Sequence, residues 1–529
     1  MKISRRKFVQ LGSAAGLTVA AGCNRMPEIL VPGSGYSVND KKPFKPPFTE
    51  SVDLISHHLN RLSFGPRPGE YERVRKMGET EEEAVAAYIE EQLHPERISD
   101  PEGAASIRGI ETLNLPADLM FEFREKVLLR DLVRGTNQRA IFSRRQLYEV
   151  MVQFWTDHFN IDPTKGDCRW LKTWDDREVV RKYALGDVGI KSESSVAKLI
   201  GAFALGGNEE QDKPSFKFPD MVRASALSPA MLWYLDGREN RTEEDEDKPN
   251  ENYARELLEL HTLGVHGGYT QGDVMEVARC LTGWTVSRVK KGPGFALDNQ
   301  YGKVEFKPGL HDDNEKTVLG ETIPAGEGAK DLDHVLRIVS LHPSTAKHLA
   351  TKLCRRFIAD EPPADAVKTV AQAFLKSEGD IRETLRALFA TDNFRNTRGN
   401  KFKRPFNFIV SALRATDART DGDKPIYDYM LRMGHAPFNF PTPDGYPEEA
   451  TPWMGTLLWR WNFALALSEN RIDNGTRINP KRLAERAGGG ESLMAHLLGR
   501  KPNEPEIESW RESGNGLALA LASPAFQWS

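Results

Sequence analysis

From Val52 onward, apolar residues recur three and four apart in one segment after another. That spacing lines them along one face of an α-helix. No run of alternating Val, Ile and Thr marks a half-buried strand, so the pattern predicts an all-α, multi-helix body with long irregular loops. Around residues 147 to 159, Leu147, Met151, Phe154, Trp155 and His158 fall on one face, which puts His158 in line with a large aromatic stripe. A second helix is predicted from Ser344, a fitting N-cap, through Ala346, Leu349, Ala350, Leu353, Cys354 and Phe357, with a basic opposite face. Another opens at Thr270 and Asp273, spaced as a capping box, runs through Val274, Val277, Ala278 and Leu281, and stops at Gly283.

The segment Asn250 to Gly264 is amphipathic. Tyr253, Ala254, Leu257, Leu258, Leu260 and His261 share one half of its wheel, and Asn252, Arg255, Glu256 and Glu259 the other. Gly264 fits the C-cap. Residues 208 to 217 and the charged run 238 to 250 read as surface loops. Gly434 to Trp453, with Pro, Phe, Tyr and Trp closely mixed, reads as a loop packed over the body as a lid or brace. Leu385–Phe394 faintly echoes Leu517–Phe526, each a helix ending in a small polar residue and a Phe; two copies make no repeat array.

The beginning of the chain breaks this pattern. Lys2, Arg5, Arg6 and Lys7 precede an apolar, small-residue run from Leu11 to Ala21, too short to span a bilayer. Ser4-Arg5-Arg6-Lys7-Phe8-Val9 resembles the twin-arginine export signal, with Arg5 and Arg6 as its pair. Ala20-Ala21-Gly22-Cys23 resembles a lipoprotein cleavage box, with Cys23 as the lipid attachment point and Ala20 where a larger aliphatic residue is usual. Residues 1–23 are therefore expected to be a cleavable export signal. Residues 24–51, polar and Pro-rich, are expected to be an extended tether, 52–470 the main helical domain, and 471–529 a C-terminal helical extension. The protein is expected in the periplasm or anchored to the envelope membrane through Cys23 alone.

The chain has 529 residues, enough for two to four globular units or one large fused body. A mean hydropathy of -0.52 excludes a polytopic membrane protein. Four Cys are too sparse for a disulfide scaffold, and if Cys23 is lipidated, Cys168, Cys280 and Cys354 leave at least one thiol free or buried. Removing residues 1–22 takes away Lys2, Arg5, Arg6 and Lys7 and no acid, which makes the net charge of -4 four units more negative. Bulk affinity for nucleic acid or anionic lipid is thereby disfavoured.

Candidate chemistry centres on Glu256 and Glu259, which share a helical face and offer two carboxylates to a cation or to acid/base work, with Arg255 holding one ionised. His158 and His311 are the candidates to complete a divalent metal site with them, because two imidazoles and two carboxylates satisfy a four-coordinate ion. The bland alternatives are a solvated helical face with an intrahelical ion pair, a satisfied core histidine at His158 and a solvated loop at His311. His261, on the apolar half, reads as core. Zincin, nucleophile-elbow, Walker, dinucleotide and haem-attachment signatures are missing.

Several longer motifs point to a family. His58-Leu-Asn-Arg-Leu-Ser-Phe-Gly-Pro66, Phe154-Trp-Thr-Asp-His-Phe159, Ser228-Pro-Ala-Met-Leu-Trp-Tyr-Leu-Asp236, Asn250 to Leu260, Gly268-Tyr-Thr270, Leu281-Thr-Gly-Trp284 and Gly445-Tyr-Pro447 resemble the domain-of-unknown-function 1800 family of exported bacterial proteins. Gly445-Tyr-Pro447 departs from the more usual Gly-Trp-Pro. The resemblance, over about residues 52 to 470, implies a largely helical exported protein, often encoded beside a sulfatase-like exported protein of the domain-of-unknown-function 1501 family. It brings no catalytic residues. Two functions follow as expectations: a lipid-anchored envelope protein that binds or scaffolds such a partner in polysaccharide-related work, or a periplasmic metal-dependent hydrolase built on the His/Glu set.

Overall fold

The computed structural model describes residues 42–186, 216–242, 249–287, 302–473 and 475–529. The expected export signal with Arg5 and Arg6, the expected lipid attachment residue Cys23 and most of the expected tether lie outside the described residues, as does most of the loop read at 208 to 217. The described residues form twenty-five α-helices, with the rest in short 3-10 and π turns, two hairpins and irregular loops, so the chain is mostly α. Apolar periodicity is the cause: helix after helix buries one stripe in a main core that collects residues from Phe44 to Phe526.

The helix Gln146–His158 runs through this core. Leu147, Met151, Phe154, Trp155 and His158 are all buried, as their spacing predicts, and the Trp155 indole N–H donates to the Ala184 carbonyl at 2.9 Å. Thr270 and Asp273 close a reciprocal capping box on Gln271–Cys280. The echoed segments form the same corner: Thr391 and Ser523 each accept from the N–H of the Phe three residues on, and Phe394 and Phe526 are buried.

Four features differ from the sequence reading. Two two-stranded antiparallel hairpins occur, Trp284–Val286 with Val304–Phe306 and Lys316–Val318 with Glu321–Ile323; three-residue strands are too short to show an alternating pattern. The helix Pro343–Phe357 is capped by the His342 side chain, whose Nδ1 accepts from the Ser344 N–H at 3.1 Å, because Pro343 takes the first helical position and Ser344 the second. Order begins before Val52. Phe44 is buried against the Arg486 guanidinium and the His496 ring, and its N–H donates to the Arg486 carbonyl at 3.0 Å. Finally, helices beyond residue 470 bury Leu483, Leu493, Leu517 and Phe526 in the same core as the rest. The last residues pair with Lys401–Lys403, where Lys403 N–H donates to Gln527 O at 2.8 Å and Ser529 N–H to Lys401 O at 2.9 Å.

Candidate functional site

His158 sits at the last turn of its helix, and both its ring nitrogens are engaged. Nε2 lies 3.1 Å from the His261 carbonyl and Nδ1 lies 3.0 Å from Lys352 Nζ. A carbonyl can only accept, so Nε2 carries the proton and Nδ1 receives the lysine. Burial, then the charge of Lys352, holds the imidazole far below its usual range, which keeps it neutral. His261 and His348 complete a cluster around it, with ring centroids 6.1 and 6.3 Å from that of His158. His261 is fully buried, and neither of its ring nitrogens has a partner among the described residues. Burial followed by Lys352 and His348 takes it down to about 3. Burial also lowers Lys352, to about 8, against the opposing charges of Asp157, Glu448 and Asp444.

The backbone explains the cluster. Asn252–Glu256 is α-helical and Leu257–His261 widens into a π turn, which brings His261 inward beside His158. Thr262 Oγ1 donates to the Leu257 carbonyl at 2.6 Å, and Gly264, at φ +84°, turns the chain where a Cβ would stand 2.8 Å from His348 Nδ1. Glu256 and Glu259 do lie together on the outer side of this segment. Both are half-buried, and burial followed by Glu259 raises the Glu256 carboxyl. Arg255 does not hold either of them; it pairs with Glu251 at 3.0 Å.

His311 is elsewhere. Its Nδ1 lies 2.9 Å from the Thr282 carbonyl and its Nε2 is 3.2 Å from Asp331 Oδ2, which also takes Lys316 Nζ at 2.7 Å. It is a buried ion-network histidine and not a solvated loop residue. Among the described residues, His158 and His311 belong to separate networks with no shared partner; His158 meets no carboxylate, and the one that His311 meets is Asp331. The four-ligand set His158, Glu256, Glu259 and His311 is therefore not assembled. Among the described residues no group of three or more His, Cys, Asp or Glu is placed to hold a metal ion. Cys168, Cys280 and Cys354 are buried and unpaired with one another.

A second constellation lies on the other side of Asp157. Arg404 Nη1 donates to Asp157 Oδ2 at 2.8 Å, and its Nη2 is 3.2 Å from Glu448, which also pairs with Arg356 at 3.3 Å. Lys401 Nζ reaches Asp360 at 2.5 Å and the Glu448 carbonyl at 2.8 Å. Arg61, Arg356, Lys401, Lys403, Arg404 and Glu448 line a cavity offering about 30 Å³ to the centre of a water molecule. The loop 434–453 is the brace its composition suggests. Asn160 holds it through the Phe440 and Thr442 carbonyls, His435 stacks on Trp453 and meets Tyr446 edge-on, and Gly445, at φ +73°, lies so close to the Asp157 carbonyl that a Cβ would come within 2.0 Å. The brace delivers Glu448 to the cavity.

Sequence reasoning missed these cations. The face of Pro343–Phe357 opposite its apolar stripe is basic, as its sequence shows, yet Arg356 is buried and Lys352 half-buried. One available signal was motif overlap: Asn60, Arg61 and Ser63 come from His58–Pro66, Asp157 from Phe154–Phe159, and Glu448 directly follows Gly445–Pro447.

One surface stands apart from all this buried charge. On the turn Thr451–Thr456 and the helix Leu457–Ser468, Met454, Leu457, Leu458 and Trp461 are 52, 54, 67 and 42% exposed. Between residues 450 and 468 the sole ionisable residue is Arg460, and it is buried. No helix among the described residues is long and apolar enough to cross a membrane.

No curated protein and no solved structure matches the chain. The family model described as "Protein of unknown function (DUF1800)" matches residues 57–528, which takes in the C-terminal helices as well as every motif lining the cavity. The chain belongs to that family.

Proposed function

We propose that this is an exported, lipid-anchored envelope protein that binds a second exported protein, of the sulfatase-like kind that accompanies this family, in polysaccharide-related work. The observation that carries the reading is the uncharged apolar face of Met454, Leu457, Leu458 and Trp461. Contiguous exposed apolar side chains on a water-borne protein favour a partner, and Trp and Met are enriched at the buried centres of interfaces. The export motif at Arg5 and Arg6 and the lipidation motif at Cys23 support the location. From Cys23 to Lys42 the chain can reach at most roughly 65 Å when fully extended, so an anchored body can meet a partner well away from the membrane. The metal-dependent hydrolase has no comparable support, since the imidazoles of His158 and His311 are engaged in separate networks.

Co-expression with a sulfatase-like exported protein of the domain-of-unknown-function 1501 family, followed by mild cross-linking and purification in detergent, tests the reading. The wild type is expected to retain the partner, and the Leu457→Glu, Trp461→Glu double variant to lose it while melting at the same temperature. Purification of the wild type alone would contradict the reading. So would vesicle flotation that depends on Leu457 and Trp461, since the face would then serve the membrane.

A further inference from the structure

The cavity beside Glu448 is rich in basic side chains. Arg61, Arg356, Lys401, Lys403 and Arg404 line it, together with the last residue, Ser529, and Glu448 is the one acidic side chain among the lining residues. Two more carboxylates stand directly behind, Asp157 on Arg404 and Asp360 on Lys401. Five basic side chains thus meet three acidic ones. Desolvated charge without a counter-charge is costly, and proteins ordinarily pair it.

The excess falls on Arg61 and Lys403. Arg61 is 5% exposed, its Nη2 donates to the Thr397 carbonyl at 2.8 Å, and its Nε and Nη1 are buried without a partner among the described residues. Lys403 Nζ is buried with a hydroxyl, Ser411 Oγ at 3.1 Å, and the face of the Phe526 ring 4.1 Å away. Neither has a carboxylate of its own. Burial together with Arg356 pulls Arg61 down to about 9, and burial together with Arg460 pulls Lys403 down to about 7. An anion beside them would relieve the cost of carrying charge in that position.

The dimensions fit a small ion. A space of about 30 Å³ measured at water centres takes roughly two or three water-sized groups, the bulk of a tetrahedral oxyanion and too little for a sugar ring. Asn60 and Asn407, half-buried on its lining, mark the side that meets solvent. We propose that this cavity binds a small tetrahedral oxyanion, a sulfate or phosphate group, held by the free guanidinium edge of Arg61 and by Lys403, with Glu448 kept out of competition by Arg356 and Arg404. Guanidinium forks and ammonium groups in a desolvated site give the strongest hydrogen bonds available to such an ion. This inference is independent of the docking face, and either stands if the other fails.

Equilibrium dialysis of the mature protein with radiolabelled sulfate, at ionic strength fixed with sodium chloride, tests it. The expected result is saturable binding of one sulfate per chain, displaced by inorganic phosphate and not by equal acetate. It should be at least roughly tenfold weaker in Arg61→Gln and in Lys403→Met, and unchanged in Lys347→Gln, whose side chain is exposed on the same helix as Arg356. If Arg61→Gln does not fold, Lys403→Met decides the point alone. An absence of saturable binding to the wild type, which means the cavity holds water only, overturns the proposal. So do binding undiminished in the folded variants and displacement by acetate as readily as by phosphate.

Discussion

Glu448 shows how single residues carry charge into this interior. Burial alone would push its carboxyl up, but Arg356, Arg404 and Lys401 outweigh that and hold it down to about 2. A folded pKa below that of an unfolded glutamate means stability that is present above about pH 4.3 and is lost as pH falls through about 2, on the order of 3 kcal/mol. Glu448→Gln should therefore lower the urea midpoint at pH 7 and leave a smaller loss between pH 4.5 and 2.5 than the wild type shows (roughly the range set by those two pKa values). Equal midpoints at pH 7 would remove Glu448 from the account. Little of this was legible in the sequence. His158 could be placed on a buried aromatic face from periodicity alone, but Arg61, Arg356 and Arg404 come from three distant segments. A charged residue read singly is a solvated one, and only the closing of the chain shows which cations share an enclosure.

Helices and loops were more readable than their chemistry. Thr270 and Asp273 announced their helix start because a capping box is a local bargain between four consecutive residues, and Thr270→Ala is expected to cost about 1 kcal/mol in denaturant unfolding. The π turn at Leu257–His261 was not legible, since the apolar spacing of a five-residue segment does not tell a π turn from an α-helix. The brace at 434–453 was recognisable from its aromatic content, while its attachment point was not. Gly445 fixes that point. Gly445→Ala combines a left-handed φ with a Cβ 2.0 Å from the Asp157 carbonyl and is expected to cost more than about 3 kcal/mol, by shifting backbone. Gly268→Ala, at φ +92° with nothing within 4 Å, should cost only about 1 kcal/mol. Chemical denaturation of the two variants side by side checks this, and similar losses would mean that the brace is not seated on Asp157.

Over the whole molecule, the helical class and the single family were readable from patterning and motifs, because both depend on long stretches. The inclusion of residues 471–529 in the same core was not, because a helix shows that it has an apolar stripe and not which body receives it. Assembly also concentrates neutral histidines inside. Burial is the first cause that lowers His57, His58, His158, His261, His348, His435 and His496, with His58, His348 and His496 at about 4 and His261 at about 3. Their folded values lie below the unfolded 6.5, so the stability they confer is present above about pH 6.5 and drains away as pH falls toward 4. Unfolding should take up several protons near pH 5, which calorimetry in buffers of different ionisation enthalpy measures; uptake of fewer than about one proton would contradict the burial of this set.

The claim on which the functional reading turns is that the face bearing Met454, Leu457, Leu458 and Trp461 is covered by another exported protein. Amide hydrogen exchange of the mature chain, alone and with the purified sulfatase-like protein, measures this directly. Protection confined to the peptides spanning 451–461, slowing exchange by roughly tenfold or more, is the predicted result. Exchange there unchanged by a saturating partner, or protection appearing on a different face, would contradict it.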